Sequence, residues 1–119
     1  MELYRAGEDC LKAIYVLQKE NGIVHSTDVA RKLNVSKASV SRSMKLLREG
    51  GMLTMDIDKR LHLTRAGSEI AERVYDKYRV LKEWLVHLGV DDETAETDAC
   101  RMEHAISDKS IAALKMQTE

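Results

Sequence analysis

Three side chains able to ligate a metal stand within five consecutive positions of the 119-residue chain: Cys100, Glu103 and His104. At i, i+3 and i+4 they fall on one side of a helix, about a turn apart. A thiolate, a carboxylate and an imidazole on one face offer sulfur, oxygen and nitrogen to a single divalent cation. The same spacing also suits a plain helix, with the cysteine a small buried hydrophobe, the glutamate in solvent and the histidine satisfied by a hydrogen bond. Three residues alone do not separate these readings. The elements that must position them have to decide.

The composition describes those elements. Phe and Pro are absent, Trp84 is the single Trp, and 33% of residues are charged. Leu, Ile, Val, Ala and Met therefore carry the core, in a chain suited to helices. The length fits one domain, or two small ones sharing a long helix. Neither a leader-like segment nor a long apolar run is present, so a soluble, cytoplasmic protein without a membrane partner is expected. Cys10 and Cys100 are ninety positions apart, which suits thiols or ligands better than a disulfide framework. The net charge of −1 hides an asymmetry: residues 26–65 hold nine Lys/Arg against four acids, and residues 66–119 seven against twelve. A basic segment followed by an acidic one is expected where only the first meets a polyanion.

Leu11, Ile14, Tyr15 and Leu17 repeat at helical spacing and predict a helix over 7–20, with Glu8 and Asp9 in its first turn and Asn21-Gly22 ending it. Residues 26–47 have the shape of a helix-turn-helix. Ser26 or Thr27 is the expected cap of its first helix, and Val29, Ala30 and Leu33 its inner face. Asn34 sits in the turn, where a left-handed backbone is tolerated. Ser36 caps the second helix, whose Val40, Met44 and Leu47 point inward. Lys37, Ala38, Ser39, Ser41, Arg42 and Lys45 are left outside, short polar and cationic side chains suited to phosphates and base edges. Gly50-Gly51 breaks that helix. Met52–Asp56 and Arg60–Thr64 then predict a β-hairpin, the wing of a winged helix, with Lys59 and Arg60 at its tip to touch the DNA backbone. Thr64 is the cap candidate for a long helix from Arg65 to Leu88, striped by Ile70, Val74, Tyr78, Leu81 and Leu85 and ended by Gly89. Asp91 or Asp92 opens a further helix expected to run through Ile106. Ser107-Asp108 starts a last short one. One chain is expected to leave apolar surface on these helices uncovered, which a symmetric dimer would supply.

This order of elements, with Cys-x-x-Glu-His on the helix after the long one, resembles the diphtheria toxin repressor family of iron- and manganese-dependent bacterial repressors. The resemblance runs from about Gly7 to Leu114. It is carried by Glu8-Asp9-x-Leu11-x-x-Ile14-Tyr15, by Leu63-Thr64-x-x-Gly67, and by Asp98-Ala99-Cys100-Arg101-Met102-Glu103-His104-x-x-Ser107. It implies the short two-domain type, without the SH3-like domain of longer members. It also implies one regulatory metal held by Asp9, Cys100, Glu103 and His104. The set is a hybrid: Asp9 matches the manganese type and Cys100 the iron type. Tyr78, Lys82 and Lys12 stand where the family's second site has ligands, which argues against a second site of that kind. Glu83 and Glu96 lie close by as partial substitutes.

The expectation is therefore a mainly α protein: a winged helix-turn-helix DNA-binding domain over 1–64, then a helical metal-binding and dimerisation domain over 65–119. Its function would be that of a metal-dependent transcriptional regulator of metal-ion homeostasis genes, a homodimer on a palindromic double-stranded operator. The DNA-binding residues would be Ser36, Lys37, Ser39, Ser41, Arg42, Lys45, Lys59 and Arg60. The cofactor would be iron(II) or manganese(II), with zinc binding in vitro. The rival reading is a metal-independent winged-helix regulator with Cys100 as a thiol switch or core residue. An enzyme using Glu103 as general base finds no second acid–base cluster and no phosphate loop in the sequence, so no small-molecule substrate is expected.

Overall fold

A computed structural model describes residues 5–118; residues 1–4 and 119, which include the outer bounds of both expected domains, lie outside the described residues. The chain forms two compact units that meet between Glu72 and Arg73.

The first unit is built on α1 (Arg5–Asn21), whose Cys10, Leu11, Ala13, Ile14 and Leu17 form one buried face. Each such Leu or Ile contributes about 1.5–3 kcal/mol by leaving water. Gly22, at φ +79°, ends the helix and donates its N–H to the Gln18 carbonyl at 2.9 Å. Glu8 is the acid in the first described turn of α1, and Asp9 follows it. Two helices follow, α2 (Ser26–Leu33) and α3 (Lys37–Glu49). The cap of α2 is His25 rather than Ser26 or Thr27: the His25 N–H donates to Asp28 Oδ2 at 2.8 Å. An acid three residues into the helix reaches back for that amide, so the serine and threonine lie inside the first turn. Asn34 closes α2 in the left-handed region at φ 55°, ψ 48°. Ser36 caps α3, its Oγ accepting from the Ser39 N–H at 3.1 Å.

Val40, Met44 and Leu47 of α3 join the α1 face in one core, together with Val24, Val29 and Ala30. The positive φ that turns the chain out of α3 falls on Gly51 (+76°). β1 (Leu53–Met55) and β2 (Leu61–Leu63) pair antiparallel, with Leu53 opposite Leu63 and Met55 opposite Leu61. Leu53 and Leu61 enter the core while Thr54 and His62 face out, so the alternation read from the sequence sets the register. The Leu61 N–H also donates to the Val24 carbonyl at 2.8 Å, tying the hairpin to the segment before α2. Thr64 caps α4 (Arg65–His87) by accepting from the Gly67 N–H at 3.1 Å, and its hydroxyl donates to the Gly51 carbonyl at 2.7 Å. Gly67 is needed there. A Cβ at that position would run into the Met52 carbonyl oxygen.

The second unit holds the rest of α4, α5 (Asp92–Met102) and α6 (Asp108–Thr118). Gly89, at φ +100°, ends α4. Asp91 caps α5, with Oδ2 accepting from the Thr94 N–H at 3.0 Å. Val80 and Leu81 of α4, Ala99 of α5 and Ile111 of α6 are buried together, with Tyr78, Trp84, Met102, Ile106 and Leu114 packed against them. One expectation is corrected here: α5 ends at Met102, not at Ile106. Ser107 starts α6, its Oγ accepting from the Ser110 N–H at 3.1 Å, and the chain must bend before it. Residues 103–106 make that bend, with the N–H groups of both Ala105 and Ile106 directed to the Met102 carbonyl.

Candidate metal centre and nucleic-acid face

Glu103 occupies the last helix-like position of α5: its backbone is still right-handed and its N–H reaches the Ala99 carbonyl at 3.0 Å. That placement buries its carboxylate, leaving the residue 1% exposed. Among the described residues it is the one charged residue as buried as the core. Taking a carboxylate out of water is costly unless cations or donors meet it. His104 supplies one such group, with Nε2 3.4 Å from Glu103 Oε1. Cys100 stands in the last turn of α5, half-buried. Among the described residues, the ligand atoms that lie within 4.8 Å of one another include those of Glu103 and His104 and not the Cys100 sulfur. The face expected from i, i+3 and i+4 is thus realised for the carboxylate and the imidazole, which sit in the turn rather than on continuous helix.

Asp9 belongs to the first unit, half-buried on α1. Its neighbour Cys10 is a core residue, 2% exposed. Burial pushes that thiol up to about 11, against a hydrogen bond with Ser43 that lowers it. A thiol so reluctant to ionise is a poor ligand, in line with the packing role expected of it. Neither cysteine forms a disulfide.

At the positions that depart from the family's second site, Tyr78 donates its hydroxyl proton to Glu96 Oε1 at 3.2 Å, and Lys82 Nζ lies 3.5 Å from the same oxygen. Burial first, and then the charge of Glu96, raises the Tyr78 hydroxyl above its ordinary value. Glu96 is thereby engaged by a phenol and an ammonium, and Glu83 is exposed.

In the first unit, Lys37, Ser41, Arg42 and Lys45 are exposed on α3, Ser36 is exposed at its cap, and Ser39 is half-exposed. Ser39 faces Arg42, whose Nη2 donates to Ser39 Oγ at 3.5 Å. Lys59 and Arg60 are exposed at the hairpin tip. The side chain that shapes this tip is Asp56, which the sequence reading passed over. Its Oδ1 accepts from the Asp58 N–H at 2.9 Å and the Arg60 N–H at 3.0 Å, and its Oδ2 lies 2.8 Å from His62 Nε2. The bond from His62, followed by that from Arg60, holds the Asp56 carboxyl below the usual carboxylate range. Lys59 takes the left-handed backbone (φ 62°) that closes the turn. The Asp56-x-Asp58 pattern is a turn signal in its own right, and it marks this position.

Two family models match the chain. One describes the iron-dependent repressor N-terminal DNA-binding domain, over residues 2–62, and the other the iron-dependent repressor metal-binding and dimerisation domain, over 64–119. The chain belongs to the iron-dependent repressor family. An HTH-type transcriptional regulator of Methanocaldococcus jannaschii is 36% identical to this family member over 94% of the chain and 91% of its own length. The transcriptional regulator MntR of Escherichia coli O6:H1 is 30% identical over 94% of the chain and 72% of its own length. Among solved structures, a manganese-dependent transcriptional repressor in complex with manganese superposes with a TM-score of 0.86 at 27% identity, over 94% of this chain and 52% of that one. The chain thus spans about half the length of such solved repressors. Among the described residues, no helix is long and apolar enough to cross a membrane.

Proposed function

We propose that this protein is a metal-dependent DNA-binding transcriptional regulator, a repressor of metal-ion homeostasis genes, and not an enzyme. The observation that carries the reading is the Glu103 carboxylate, 1% exposed, with His104 Nε2 at 3.4 Å. A buried anion beside an imidazole fits a divalent cation, which would supply the positive charge that offsets burial of the acid. Asp9, Cys100, Glu103 and His104 would hold one ion per subunit, iron(II) or manganese(II) physiologically. Asp9 and Cys100 enter this set on the strength of the family resemblance. Occupancy of the set would favour the DNA-binding state of the protein over others, which is linkage in the ordinary sense. Ser36, Lys37, Ser39, Ser41, Arg42 and Lys45 would meet the major groove, while Lys59 and Arg60 would meet phosphates beside it.

Asp9 and Glu103 offer hard oxygens, His104 a borderline nitrogen and Cys100 a soft sulfur, a mixture that binds zinc and iron(II) more tightly than manganese. Calorimetric titration under reducing conditions tests the set. His104→Ala is expected to weaken zinc, iron(II) and manganese alike, by at least about the 10- to 100-fold typical of losing an outer-shell partner. Cys100→Ser is expected to weaken zinc and iron(II) much more than manganese. Unchanged affinities in Cys100→Ser would return that residue to a packing role.

A further inference from the structure

The turn that carries Glu103 and His104 is gripped from α4 by one side chain. Past Met102 the backbone carbonyls run out of helical partners. That of Ile106, the last before the α6 cap, accepts a hydrogen bond from Lys77 Nζ at 2.8 Å. The same ammonium lies 3.0 Å from Asp108 Oδ1, at the first residue of α6. The Lys77 side chain is 15% exposed and that of Asp108 73%, so the ion pair is screened by solvent on the acid's side and the firmer tie is the bond to the Ile106 carbonyl. The acid also suits its helix end, since Asp108 stands in the first turn of α6. The neighbouring Asp76 makes a second tie to α6, through Lys115 Nζ at 2.6 Å, two turns further along.

We propose that Lys77 is a positioning residue for the metal-ligating turn: by fixing the Ile106 carbonyl and Asp108 it sets where the turn ends and holds Glu103 beside His104. The inference rests on the metal reading above. No ligand atom is contributed by Lys77 itself. Its effect passes through the backbone of 103–107, in the way that outer-shell partners orient ligands and change metal affinity by about 10- to 100-fold.

The test uses the full chain titrated with cobalt(II), whose visible absorption reports the ligand arrangement, and with manganese(II). Lys77→Met is expected to weaken both metals about tenfold or more and to shift the cobalt bands. Lys77→Arg is expected to restore affinity and spectrum, because a guanidinium can donate to the carbonyl and the carboxylate together. Lys115→Met, which loosens α6 at the other tie, is expected to lower thermal stability while leaving affinity and spectrum alone. Asp108→Asn, at a residue exposed enough to leave folding intact, is expected to give a smaller loss in the same direction as Lys77→Met and stands in for it should that variant not fold. The proposal is overturned if Lys115→Met weakens metal as much as Lys77→Met, or if neither Lys77→Met nor Asp108→Asn moves the spectrum. Glu103→Gln separates the two levels. If it weakens metal while Lys77→Met does not, only the positioning role fails; if it leaves affinity unchanged, the metal reading fails and the positioning role with it.

Discussion

Arg42 and Lys59 carry the same charge on different supports, and that difference fixes what each can do. Arg42 projects from the middle of α3, where a rigid backbone can aim a forked guanidinium at one base edge. Lys59 sits in a hairpin turn and presents a flexible point charge. Arg42→Ala is expected to cost roughly 1–3 kcal/mol on the preferred sequence and less elsewhere. Lys59→Ala is expected to weaken all sequences about equally and to lower the log–log salt slope by about 1. Binding isotherms at several salt concentrations on preferred and random DNA distinguish them; equal loss of discrimination from both would show the roles to be misassigned. At this scale the sequence was informative wherever chemistry is intrinsic to a residue type, as with the cations of α3 and the Glu103–His104 pair. It was silent on Lys77 and Asp56, whose importance lies in backbone groups brought to them by folding.

Among the elements, the periodic cores of α1, α3 and α4 were legible because apolar spacing alone sets which face is buried. Their ends were less so. The start of α2 depends on whether a serine or an upstream acid satisfies the first amide, and Asp28 takes that role by bonding the His25 N–H. The end of α5 at Met102 depends on the cap of α6 and on Lys77, neither of which alters the local pattern. The start of α4 is the counter-example, since the Thr64-x-x-Gly67 spacing is explained by close approach. A side chain at Gly67 would meet the Met52 carbonyl, which itself accepts the Thr64 N–H at 3.1 Å. Gly67→Ala is expected to cost about 1–3 kcal/mol, as overpacking against fixed backbone does. Gly22→Ala meets no neighbour and bears only the strain of its positive φ. Thermal denaturation of the two variants measures the contrast; a Gly67→Ala midpoint no lower than that of Gly22→Ala would remove the crowding argument.

For the whole molecule, the second unit leaves apolar side chains uncovered. Leu88 is 62% exposed and Met116 81%, with Val86 also outside the core. A family whose C-terminal domain is described as metal-binding and dimerising gives these residues a natural partner, a second copy of the chain. Sedimentation at micromolar concentration is expected to return a species of twice 13.5 kDa with or without metal; a monomer would undo the two-fold operator symmetry that follows from a dimer. Membership of this family also weighs against the metal-independent regulator with Cys100 as a thiol switch. The most direct measurement is DNA binding by the metal-free protein and by the same protein with manganese(II), iron(II) or zinc, on duplexes selected from a random pool in the presence of metal. A shared palindromic site bound at least about tenfold more tightly with metal, which is about 1.4 kcal/mol of coupling, is the result expected, and His104→Ala should abolish the difference. Equal affinity for that site with and without every metal would contradict the account.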